Sequence, residues 1–233
     1  EIAFLLEWDD PTKSDNILRT EDFADGVAIQ HPLSLENEQV WFAMGQPDAV
    51  MNIWHWNAEW EEESQEPRDM KAIYPATGWE YYPLSDDEIF YTGRVGGSFF
   101  SQPDRGTPVE DLNAAGLRTL TSQPAEQQNV KGKGVWEDGK WKVIFHRYFQ
   151  TDYEYDVVFE PTKKIKKLRP IAFAIWDGGN SERDGQKAVS SFYFLEIASP
   201  QSLWGYAVGI GVAVSVLGVE VFLLRLFRRK KKR

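Results

Sequence analysis

Short β-type runs rich in apolar, β-branched and aromatic residues, separated by turn-forming residues, dominate the pattern of this 233-residue chain. Such runs, bounded by Gly, Pro, Asn and Asp, predict short β-strands. The expected strands are Ile2–Trp8, which ends at Asp9-Asp10-Pro11, then Gly26–Gln30, Val40–Ala43 and Val50–Trp56. In the last of these, Met51, Ile53 and His55 alternate with Asn52, Trp54 and Trp56. Trp136–Phe149 reads as a hairpin, because two strand-forming runs flank Asp138-Gly139, a dipeptide suited to a two-residue turn. Ile171–Trp176 and Val189–Ile197 supply two more strands around a glycine-rich loop. The expected fold is all-β: one antiparallel β-sandwich with loop insertions over residues 1–200.

Three stretches depart from this rhythm. Glu59–Asp69 is an acidic run, expected to be a solvated loop or a short exposed helix. Gly96–Gly132 is rich in Gly, Pro, Ser, Asn and Gln with little periodicity, and a structureless stretch of that length often binds something. Leu203–Phe227 is apolar nearly throughout, long enough for a transmembrane helix across a hydrocarbon layer of roughly 30 Å. The basic tail at residues 228–233 follows it directly and favours the cytoplasmic side. That orientation places residues 1–200 on the extracytoplasmic (periplasmic) face of a cell membrane. The chain opens in what reads as the middle of a strand, so an export signal is expected upstream.

The charge sharpens this division. Before the apolar segment there are 35 acids against 19 bases, a formal charge of -16. Such a surface repels nucleic acid and favours basic protein partners. There is no cysteine, which excludes disulfides, thiolate zinc sites, cysteine-ligated iron–sulfur clusters and covalently attached c-type haem. The core alone must then hold the domain, and ten tryptophans suit a large β core. His31, His55 and His146 lack metal-ligand spacing, and neither HExxH nor GxSxG occurs. No carboxylate pair stands out as a catalytic pair, so the chain is not expected to be an enzyme.

Four sets of motifs occur in a fixed order. The first is Trp8-Asp9-Asp10 with Phe23-Ala24-Asp25-Gly26-Val27-Ala28-Ile29-Gln30. The second is Met44-Gly45 with Asn52-Ile53-Trp54-His55-Trp56, and the third is Asp138-Gly139-Lys140-Trp141. The fourth is Ala172-Phe173-Ala174-Ile175-Trp176-Asp177-Gly178-Gly179-Asn180, followed by Glu182-Arg183, Gly185 and Lys187-Ala188-Val189-Ser190. This set resembles the haem b-binding gamma subunits of the type II branch of the dimethyl sulfoxide reductase family. That family includes ethylbenzene and dimethyl sulfide dehydrogenases, selenate and chlorate reductases, and nitrite oxidoreductase.

The resemblance implies a β-sandwich that grips one b-type haem between a methionine and a lysine, carried here by Met44 and Lys187. Both would be axial ligands of the haem iron. Met51 ranks second as the sulfur ligand, and His55 with His146 form the rival ligand pair. A thioether favours ferrous iron, and a lysine ligates only as the free amine, which burial promotes. The resemblance further implies electron transfer between an iron–sulfur beta subunit, wired to a molybdopterin alpha subunit, and an external carrier. That carrier would be a c-type cytochrome or a membrane subunit, since one helix cannot enclose a quinone site. Membrane-anchored forms occur in nitrite oxidoreductase and related nitrate reductases. The alternative from another class is a haem-free surface sandwich that binds carbohydrate or protein.

Overall fold

A computed structural model describes residues 1–35, 44–63, 74–76, 78, 106–159, 168–197, 208–212 and 214–220. The chain divides into two compact units. One comprises Glu1–Glu160 with Lys164–Ile197, the other Pro161–Lys163 with Ala198–Arg233.

The first unit is built from antiparallel strands. β1 (Ile2–Asp9), β6 (Lys131–Glu137) and β7 (Lys140–Arg147) form a three-stranded sheet in the order β1-β7-β6. The larger sheet runs β10-β8-β2-β3-β4-β5, with β9 paired to β8. Its strands are β2 (Gly26–Pro32), β3 (Met51–Asn57), β4 (Val109–Ala114), β5 (Thr121–Ser122), β8 (Leu168–Trp176), β9 (Ala188–Val189) and β10 (Tyr193–Glu196). One short helix, α1 (Ala58–Glu63), follows β3.

Alternation explains how the sheets meet. β1 half-buries every second residue, so Ile2, Phe4, Leu6 and Trp8 pack on the core. β7 adds Trp141, Val143 and Phe145, while the larger sheet adds Val27, Ile29, Trp54, Trp56, Val109 and Ile171 to the same cluster. One apolar cluster drawing on both sheets is the interior of a sandwich. The predicted hairpin is present, with Glu137 opposite Lys140 and both Asp138 (φ 50°) and Gly139 (φ 75°) in the left-handed region of the turn. Gly134 lets β6 lie against the opposite sheet. A Cβ there would sit 2.2 Å from Cζ2 of Trp56, whose ring is fully buried.

Two expectations need correction. Gly96–Gly132 is not irregular where it is described: it holds β4, β5, a 3₁₀ turn at Ala125–Gln127 and the start of β6. Its polar residues are buried as strand residues, with Asp111 receiving a hydrogen bond from Asn52. The acidic run opens as α1, and there Glu59 and Glu61 are buried instead of solvated. Glu61 Oε2 accepts hydrogen bonds from Trp56 Nε1 (3.0 Å) and from the Gly134 amide (2.7 Å), so this carboxylate ties the two sheets together. The expected strand Val40–Ala43 lies outside the described residues.

In the second unit, residues 208–212 and 214–220 are helical with exposed side chains. Ser215 Oγ donates to the Gly211 carbonyl at 2.8 Å, a bond typical of serine within a helix. Among the described residues no helix is long and apolar enough to cross a membrane. The expected span Leu203–Phe227 extends at both ends into residues outside the described set.

Candidate functional site

The strands that send Val27, Ile29, Trp54 and Trp56 into the sandwich send their alternate residues to the outer face of the larger sheet. There Ala28, Met51, Ile53, Leu112 and Ala114 form a second apolar cluster, against which Met44, Ala174, Trp176 and Phe192 pack. The register aligns these residues across four strands. Ala28 stands opposite both His55 and Ala174, Met51 opposite Ala114, and Ile53 opposite Leu112.

Met44 stands at one margin. It occupies a left-handed turn (φ 61°) whose carbonyl accepts the Gly116 amide at 3.0 Å. Gly45 seats that turn on the sheet. With φ 82°, a Cβ there would lie 2.4 Å from the Ala49 carbonyl oxygen and 3.0 Å from Met51 Cγ. The Met-Gly pair is therefore a packing requirement that fixes the methionine against the cluster. Met51 is fully buried inside the cluster.

Lys187 approaches from the loop between β8 and β9. That loop starts at Asp177, whose side chain caps the 3₁₀ turn Gly178–Asn180, and Trp176 Nε1 ties it back through a hydrogen bond to the Asp184 carbonyl at 3.2 Å. Lys187 Nζ sits 4.6 Å from the centroid of the Trp176 ring, a cation–π distance while the amine is charged. Burial pulls its pKa below the usual lysine value, against the opposing charge of Asp184. Among the described residues no ion pair engages it.

His55 belongs to the same face. Its ring lies 5.1 Å from Trp176 and 5.3 Å from Trp60, and its pKa is lowered to about 4 by burial and by the Lys187 charge. It is a neutral imidazole at ordinary pH. His146 is elsewhere: it alternates with the buried Phe145 and Arg147 on β7 and points to the exposed face of the smaller sheet. The rival pair His55/His146 therefore spans opposite outer faces of the sandwich. Met44 and Lys187, by contrast, border one cluster through Trp176.

Two arrangements escaped sequence reasoning. Arg147 is buried beneath the main core, pairing with Asp156 at 3.0 Å and Asp111 at 3.8 Å, and lies 5.0 Å from the Trp54 ring. His31 is buried among Phe4, Trp54 and Phe159. No local signal marks either, because their partners come from distant strands.

Comparison with known proteins bears on this geometry. The family described as ethylbenzene dehydrogenase matches residues 103–188, a segment that contains β4 to β8 and ends just past Lys187. A protein of Haloferax mediterranei named as a respiratory nitrate reductase heme subunit is 25% identical over 231 residues, 96% of this chain and 62% of that protein. The chlorate reductase subunit gamma of Ideonella dechloratans is 28% identical over 185 residues, 79% of this chain and 55% of its own length. The dimethylsulfide dehydrogenase subunit gamma of Rhodovulum sulfidophilum is 26% identical over 204 residues, 84% of this chain and 56% of its own. The chain thus spans between 55% and 62% of the length of these relatives. The motifs quoted from the sequence and these matches agree: this chain is similar to haem-binding gamma subunits of dimethyl sulfoxide reductase family complexes.

Proposed function

We propose that the chain is the electron-transfer gamma subunit of a molybdopterin oxidoreductase complex, and that Met44 and Lys187 hold one b-type haem between them. The observation that carries the reading is the approach of a thioether and an amine to one apolar cluster on the outer face of the larger sheet. The relatives named as heme or gamma subunits support it.

The donor set fits such a group. Met44 offers a soft sulfur, which favours ferrous iron, from a turn that its packing holds in one conformation. Lys187 can give a lone pair only as the free amine, and burial beside Trp176 moves it in that direction. The apolar side chains of this cluster would offer contact to a flat ring. When bound, the haem supplies reversible one-electron transfer. A haem held by both side chains would have no open coordination site for a substrate, which suits electron transfer and not catalysis by the chain itself. His55, its ring 5.1 Å from Trp176, stands beside the same cluster.

The complex would pass electrons between an iron–sulfur beta subunit, leading to a molybdopterin alpha subunit, and a c-type cytochrome or membrane partner. The apolar stretch Leu203–Phe227 and the basic tail support a single-pass anchor, with the sandwich on the periplasmic side and the C-terminus cytoplasmic. The acidic surface of the sandwich matches a basic partner. The test is a reduced-minus-oxidised visible spectrum of the full chain purified from membranes. A low-spin b-type signal that is lost or becomes high-spin in both Met44→Ala and Lys187→Ala is expected. A chain that extracts without haem, or one whose spectrum both variants leave unchanged, refutes the ligand pair.

A further inference from the structure

Three carboxylates that the electron-transfer reading leaves unused converge at one end of the sandwich. Asp10 follows β1, Asp25 precedes β2 and Asp177 follows β8, so three separate connections deliver them. Each offers a carboxylate oxygen, and these atoms lie within 4.8 Å of one another. Two oxygens bound to a common calcium ion at about 2.4 Å are at most about 4.8 Å apart, so the cluster has the span of a calcium coordination sphere.

A second observation points the same way. Asp10 is only 2% exposed, and its Oδ1 is occupied by the Thr12 amide (3.1 Å) and hydroxyl (3.2 Å). Its Oδ2 is buried with no hydrogen-bond partner. A bare, buried carboxylate oxygen beside two other carboxylates is unfavourable unless something positive meets it. The surrounding bonds hold the other carboxylates in place. Asp25 Oδ2 accepts from Trp141 Nε1 (2.9 Å) and the Ser14 amide (2.8 Å), and its Oδ1 accepts from the Gly178 amide (2.9 Å). Asp177 Oδ1 accepts from the Asn180 amide at 3.1 Å, and Oδ2 from Asn180 Nδ2 at 2.7 Å. All the candidate ligands are oxygen, with no cysteine or histidine among them, which selects a hard cation over zinc or copper.

We propose that Asp10, Asp25 and Asp177 form a calcium site that clamps the ends of β1, β2 and β8 together. The site is separate from the Met44–Lys187 pair, and its failure would leave the haem reading untouched. The cation would neutralise the converging charge and fix the Asp177 loop, which leads on to Lys187.

The test uses the full chain stripped with chelator, followed by thermal melting as calcium chloride is titrated to about 10 mM, which covers weak extracellular calcium modules. At a hundred times the dissociation constant, a rise in Tm of about 5–10 °C is expected for a domain of this size. Terbium provides an independent readout, because Trp141 donates directly to Asp25 and would sensitise its emission, which calcium should quench by displacement. Asp10→Asn retains an acceptor for Thr12 and should weaken calcium at least tenfold, as should Asp177→Asn at a less buried position. Glu154→Gln, at an exposed site, should leave binding unchanged. Absence of both the Tm rise and the terbium signal in the unaltered chain overturns the proposal. So does an equal calcium response in both aspartate variants, which would mark diffuse binding to the acidic surface.

Discussion

His31 should make the sandwich acid-labile, and removing it should cure the defect. The side chain is fully buried on β2, its ring 5.6 Å from Phe4, 5.3 Å from Trp54 and 5.1 Å from Phe159. Neither ring nitrogen has a hydrogen-bond partner of sound geometry, although the Pro170 backbone lies near enough to favour the charged form slightly. Burial first, then the nearby Arg169 and Arg147 guanidinium groups, lower its pKa from 6.5 to about 3. The unfolded chain binds a proton near pH 6.5 and the folded chain does not, so stability falls as pH drops from 6.5 towards 3 and is fully present above 6.5. At about 1.36 kcal/mol per tenfold change, the full penalty is about 5 kcal/mol, comparable to the net stability of many domains. His31→Leu keeps the volume close and removes both orphaned nitrogens. Urea unfolding of the full chain at pH 7 and pH 4.5 is the assay. The unaltered chain should lose about 2.5 kcal/mol more than the variant over that interval. At pH 7 the variant should be equal or about 1 kcal/mol more stable, because an apolar side chain leaves nothing unsatisfied. If both chains lose stability in parallel on acidification, the imidazole is not held neutral and the reasoning fails.

Other outcomes follow from the same packing. Arg147→Leu strips the cationic partner from Asp156 and Asp111 in a fully buried network and should cost about 3–5 kcal/mol, measured by denaturant unfolding at pH 7; a loss below about 1 kcal/mol would mean that the hydrogen bonds from Asn52, Gln123, Asn129 and Thr151 suffice. Because burial and then the Asp156 charge raise the pKa of Asp111, that loss should shrink when the same variant is unfolded at mildly acidic pH. Gly134→Ala drives a methyl into the Trp56 ring and breaks the bonds of Glu61 to both, so about 3 kcal/mol and a loss of near-ultraviolet tryptophan dichroism are expected. Retention of the parent spectrum would show that β6 can shift away freely.

Much of the architecture is legible along the chain. The strand-forming runs Ile2–Trp8 and Val50–Trp56 are local and mark the strands, but they do not mark the inner face: Leu5 is apolar yet exposed, and Met51 and Ile53 are buried on the face opposite Trp54 and Trp56. Asp138-Gly139 encodes its turn within four residues. β4 was not legible, because Glu110 and Asp111 are polar yet buried, and only partners such as Asn52 on β3 make that burial tolerable. Glu61 escaped for the same reason: its role needs Trp56 and Gly134, the latter 73 residues away. The assembly of Asp10, Asp25 and Asp177 from three ends of strands is likewise a product of sheet order. Strand-forming composition and turn chemistry act between neighbours and survive in one dimension, whereas the worth of a buried charge depends on what stands within a few ångströms, and only folding brings those groups together.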